Sequence, residues 1–112
     1  MDKEALAVAS SPIVQGLASE LIATTPEHWS SFSLYVQVFD ADGRTEDIKI
    51  NIKSNEGKDD IVTSTEDLNE IVFKLLDFFR EHSRIQTFRC DVFLKPDGKW
   101  GYETDFQFYN QK

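Results

Sequence analysis

The chain has one cysteine, Cys90, and two histidines, His28 and His82, among 112 residues. A lone cysteine excludes an intramolecular disulfide, and a structural zinc site needs more Cys and His ligands than this composition supplies. Such cysteine usage points to a reducing, cytoplasmic setting. Five scattered glycines form no Gly-rich phosphate cradle, and no unbroken apolar run approaches the ~18 residues of a membrane span. Residues 1–9 lack a basic stretch followed by an apolar core, so a secretory signal is not expected. Basic residues are scarce as well. Twelve Lys and Arg against twenty Asp and Glu leave a formal charge of −8. That argues against a nucleic-acid binder, because duplex affinity comes largely from Lys and Arg neutralising phosphates. A charged partner would be basic.

What is present suffices for one core. With 40% hydrophobic and 12% aromatic residues, residues 1–112 read as a single domain. Over residues 12–24 the apolar side chains Ile13, Val14, Leu17, Ala18, Leu21 and Ile22 recur at helical spacing, with Ser11 placed to cap and Pro12 at the first helical position. Pro26 stops this helix, and residues 1–10 are a frayed extension or a loose tail. A two-residue period then takes over. Phe32, Leu34, Val36 and Val38 alternate with Ser33, Tyr35, Gln37 and Phe39, and Ile48, Ile50 and Ile52 alternate with polar residues, giving two strands joined by a turn at residues 40–44. Ile61 and Val62, in a polar stretch, are a candidate brief third strand. The second helix has Ser64 or Thr65 as cap, Glu66 and Asp67 in its first turn, and a stripe of Leu68, Ile71, Val72, Leu75, Leu76 and Phe79. Phe88, Cys90, Val92 and Leu94, a turn at residues 96–98, and Trp100, Tyr102, Phe106 and Phe108 close the chain as a second hairpin.

The order α-β-β-(β)-α-β-β predicts an α+β fold, an antiparallel sheet of four to five strands with two helices on one face. The other face would carry Tyr35, Gln37, Phe39, Lys49, Asp91, Phe93, Glu103, Asp105 and Tyr109. Aromatics mixed with carboxylates suit a binding face, since aromatics anchor interfaces and charges steer encounter. Trp29 and Trp100 are assigned to the core.

No catalytic constellation emerges. Asp40, Asp42 and Gly43 echo a calcium loop, but the glycine comes at position four where that pattern wants six, so a solvated turn is the reading and no metal is expected. Cys90 falls on the apolar side of its strand, which makes it a buried, inert thiol and not a nucleophile paired with His28 or His82. Glu103 and Asp105 share a strand face about 7 Å apart, the spacing of a small hydrolase's carboxylates, yet a solvated face explains them equally. No enzyme and no cofactor are expected. Charge is unevenly placed: residues 40–70 hold ten acids (Asp40, Asp42, Glu46, Asp47, Glu56, Asp59, Asp60, Glu66, Asp67, Glu70) and four bases (Arg44, Lys49, Lys53, Lys58). A field so concentrated speeds encounter with a basic protein.

Four segments stand together: an amphipathic helix ending in Pro26-Glu27-His28-Trp29, the strand Phe32-Ser33-Leu34-Tyr35-Val36, a long apolar second helix, and the closing Gly98-Lys99-Trp100-Gly101-Tyr102 with Asp105-Phe106-Gln107-Phe108-Tyr109. In these the chain resembles the YezG-like immunity proteins, antitoxins of bacterial polymorphic-toxin and contact-dependent inhibition systems. The resemblance implies a cytoplasmic, non-catalytic protein that binds a cognate toxin, often a basic nuclease, and occludes it; when free, a monomer is expected ahead of a homodimer. Asp40, Asp42, Asp59 and Asp60 would steer, and Tyr35, Phe39, Glu103 and Asp105 would make contact over something like ~800 Å² per side. The competing reading is a structural or adaptor domain that homodimerises through its open sheet face.

Overall fold

The computed structural model describes residues 3–40, 46–82 and 85–108. Helix α1 spans Lys3–Thr24 and α2 Glu66–Arg80; the strands are β1 Ser31–Asp40, β2 Glu46–Ser54, β3 Ile85–Leu94 and β4 Trp100–Phe108. All strand pairs are antiparallel and the sheet order is β2-β1-β3-β4. Two hairpins therefore meet along β1 and β3, with α2 carrying the chain from one to the other. Both helices pack on each other and against β3, so the fold is the expected α+β arrangement with four strands.

The two-residue period explains the layering. Phe32, Leu34, Val36, Val38, Ile52, Phe88, Cys90, Val92 and Phe106 point toward the helices and are buried. From α2, Leu68, Val72, Leu75, Leu76 and Phe79 complete the core. The Phe79 ring lies 4.8 Å from Phe106 and 6.1 Å from Phe88, fixing α2 over β3 and β4. Thr65 caps α2, its hydroxyl accepting from the Leu68 N–H at 3.1 Å. At the β3–β4 turn Gly98 takes φ +83, and its N–H donates to the Lys95 carbonyl at 2.9 Å.

Four expectations are corrected. Residues 3–10 are neither tail nor frayed end: they continue α1, with Leu6 and Ser10 buried. Pro12 is thus inside the helix and Ser11 is no cap. The hydroxyls of Ser10 and Ser11 instead donate back to the Ala7 carbonyl, both at 3.1 Å, in the turn that the proline ring disturbs. This longer α1 passes, over Glu4–Thr24, as long and apolar enough to cross a membrane, because small residues keep it apolar without an unbroken run. In the fold its Leu6, Val14, Leu17, Ala18 and Leu21 lie in the core. Ile61 and Val62 form no strand. Ile61 is 94% exposed: neighbouring Asp60 is drawn in to Trp29, and residues 60–64 run beside β2 at Ile50–Ile52 without strand pairing. Trp29 is buried as expected, but Trp100 is 36% exposed: it begins the edge strand β4, where one flank of its ring meets Phe32 at 5.7 Å.

Replacing Pro12 by Ala restores a donor for the Val8 carbonyl at an exposed position. The variant should gain about 1–3 kcal/mol of stability in urea unfolding. No gain would show that the ring's packing, and not the missing hydrogen bond, decides this position.

Candidate functional site

The strand registers place the face away from the helices in rows. One row reads Lys53, Ser33, Asp91, Glu103 across β2, β1, β3 and β4; the next reads Asn51, Tyr35, Arg89, Asp105; the third reads Lys49, Gln37, Thr87, Gln107. Neither helix of the described residues packs on this side. Within these three rows charge is therefore split, with lysines on one edge strand and carboxylates on the other, about 14 Å away at the usual strand spacing, while Asp47 follows Lys49 on the same face at the next row of β2.

A polar network crosses the middle. Ser33 is fully buried although it points away from the helices, because Asn55 folds over it from the end of β2. Its hydroxyl accepts from the Asn55 amide at 2.9 Å and donates to Asp91. Asp91 also accepts from Arg89 Nε at 2.8 Å, and the Arg89 guanidinium sits over the Tyr35 ring at 5.1 Å. The bond to Asp91 pushes the Arg89 guanidinium's affinity for its proton up further. Beside this network Tyr35, Gln37, Lys49, Asn51 and Lys53 line an open recess of about 350 Å³. Lys49 and Lys53 carry no ion pair to another described residue, and Gln37 and Ser33, opposite them on β1, are uncharged.

The expected contact residues Tyr35, Phe39, Glu103 and Asp105 all fall on this face: Tyr35 is half-buried, Phe39 is 48% exposed, and Glu103 and Asp105 are exposed on β4. Asp105 stands opposite Arg89. Asp40 is the last residue of β1, while Asp42 and Tyr109 lie outside the described residues. Sequence reasoning missed Arg89 and Lys53, although each is at an even spacing from residues it did place there. Asn55 gave no signal, since a loop has no period.

Asp59 and Asp60, treated alike in the sequence, do different work. Asp59 is exposed and makes no hydrogen bond or ion pair to another described residue. Asp60 Oδ2 accepts from the Trp29 indole at 3.0 Å and from His28 Nε2 at 2.8 Å. Asp60 is thus a tie between the loop and the start of β1 as well as a charge, a role with no signal in the sequence. Glu56 is a second tie: Oε1 accepts from the Ser30 and Ser31 N–H groups at 2.7 and 3.1 Å, and Oε2 from the Ser30 hydroxyl at 2.7 Å. The Trp29 indole and then His28 hold the Asp60 carboxyl below its ordinary 3.8, and the Ser30 hydroxyl and N–H hold Glu56 below 4.5.

Other chemistry finds no constellation among the described residues. Cys90 is buried on the helix side and its thiol is pushed up to about 12 by burial and by the Asp91 charge. His82 lies against Phe78 at 5.2 Å, and no three His, Cys, Asp or Glu side chains converge to hold a metal. On the helix side Gln15, Ala18, Ser19, Ile22, Trp100 and Tyr102 border a groove of about 270 Å³.

A carboxylate whose folded value is depressed stabilises the fold above its unfolded value and loses that contribution as pH falls through the folded one. Unfolding temperature should therefore fall once pH drops below 4.5 and then 3.8. The double variant Glu56→Gln, Asp60→Asn should melt lower at neutral pH and show a flatter acid limb in a calorimetric pH series. An unchanged acid limb would show that other groups govern it. Compared with known proteins, the chain matches no family model and no curated sequence.

Proposed function

We propose that the protein is an immunity protein that binds a basic toxin domain, of the nuclease type, and occludes it without covalent chemistry. The observation that carries this reading is the open sheet face, which Tyr35 and Phe39 on β1 share with Glu103 and Asp105 on β4, two strands away, in a chain of charge −8. Aromatic anchors and carboxylates on one face are what a basic surface needs for docking. A toxin that cleaves nucleic acid carries such a surface for its substrate's phosphates, and carboxylates compete for it. The resemblance to YezG-like proteins in residues 13–109 supports the same class.

Division of labour follows from the ties. Asp59 remains a solvated charge on a loop clamped on either side by Glu56 and Asp60, so it steers without being mobile. Glu103 and Asp105 act after encounter, in the contact itself.

Co-expression with the protein encoded immediately upstream, scored by growth, tests the reading. The intact chain should rescue growth and co-purify one to one with its partner. Asp59→Lys should slow association several-fold and flatten its salt dependence while leaving dissociation nearly unchanged. Glu103→Lys with Asp105→Lys should speed dissociation. Full rescue by the triple variant would overturn the assignment of this surface, and no rescue by the intact chain would overturn the function for that neighbour.

A further inference from the structure

We infer that the open sheet face is self-complementary, so that two copies cover each other's face as a weak, closed dimer when no other partner is present. This goes beyond toxin neutralisation and does not depend on it. The registers place Lys53 and Glu103 at opposite ends of one row, and Asn51 and Asp105 at opposite ends of the next. A two-fold axis lying along the strands, midway between β1 and β3, turns β2 of one copy onto β4 of the other. Lys53 then meets Glu103 of the partner subunit. Asp105 of the partner subunit meets Asn51, flanked by Lys49 and Lys53. Near the axis Tyr35 faces Arg89 of the partner subunit, repeating across the interface the stacking each copy makes internally at 5.1 Å.

Charge also selects this axis over its rival. A two-fold perpendicular to the strands through the central row would set β2 on β2 and β4 on β4, bringing Lys49 against Lys53 of the partner subunit and Asp105 against Asp105 of the partner subunit, which is repulsive. The first axis pairs opposite signs across the same rows, and it gives the unpaired Lys49 and Lys53 the carboxylates that β1 does not supply. Two sheets packed with their strands nearly aligned are a common solution for such faces.

Size makes the dimer weak. Four strands by about eight residues span roughly 19 × 27 Å, or about 500 Å² per copy, short of the ~800 Å² of a standard interface. The ion pairs lie at the rim, where screening is strong. The same face is then free to meet a toxin at micromolar concentration, and the two uses exclude one another.

Sedimentation equilibrium on the full chain at low salt tests this. The mass should stay near 12.9 kDa at about 10 µM and rise toward a plateau at twice that near 1 mM, with the rise lost in about 0.5 M salt. Lys53→Glu and Glu103→Lys should each weaken association tenfold or more, while Lys53→Glu with Glu103→Lys together should restore it; circular dichroism confirms that each variant is folded. A monomer at every concentration would overturn the proposal, and so would a double variant as weak as the singles. A mass climbing past two copies would also overturn it, since that is edge-to-edge pairing of β2 with β4. Absence of self-association with growth rescue intact would remove this dimer alone and leave the immunity reading standing.

Discussion

A buried indole N–H has to be paired, and in this protein much of the surface arrangement follows from how Trp29 meets that requirement. Its ring is buried against Phe32, and its N–H reaches Asp60, thirty-one residues along the chain. Leaving that donor unpaired would cost about 1–3 kcal/mol, so the loop between β2 and α2 is pulled in to supply a carboxylate. Glu56 adds a second hold on Ser30 and Ser31, and the Ser30 carbonyl accepts from the Leu94 N–H at 2.8 Å. Strands β1 and β3 and the acidic loop thus converge on three consecutive residues. Asn55 sits over Ser33 because the loop is held there, and Ile61 faces solvent for the same reason.

Strand periodicity made the layers legible, since alternation needs no knowledge of neighbours: once Leu34 and Val36 face the helices, Tyr35 and Gln37 cannot. That Tyr35, Phe39, Glu103 and Asp105 share the open face was readable on that ground. Helix α2 was equally plain, because its stripe, cap and first-turn acids agree. Pro12 misled because a proline at a helix start and one inside it carry the same local signal; only the burial of Leu6, a tertiary fact, separates them. Trp100 misled for a related reason. Alternation assigns a side chain to a face, not to a depth, and an edge strand leaves its helix-side residues partly uncovered. Asp59 and Asp60 could not be told apart at all, since which one meets Trp29 depends on a long-range approach.

That distinction changes how the net charge is to be understood. Along the chain the acids are concentrated between residues 40 and 70, which suggests one negative patch. In space two of the loop's acids, Glu56 and Asp60, are used to hold the fold, while Glu103 and Asp105, remote in sequence, become the carboxylate edge of the open face. Charge counted by segment therefore overstates the loop and understates β4.

A face charged oppositely at its two edges constrains any partner more than net charge does. A uniformly basic surface would gain from Glu103 and Asp105 but lose against Lys49 and Lys53, so register, and not attraction alone, decides the fit. Arg89, held over Tyr35 by Asp91, keeps the centre rigid, and Ser33 beneath it has both hydrogen-bonding roles filled. A rigid, polarised face on a sheet is thus selective by construction: it rewards a partner whose charges alternate across about 14 Å, and it costs one whose charges do not. Selectivity of that kind is what the proposed inhibitor role would require among other basic proteins.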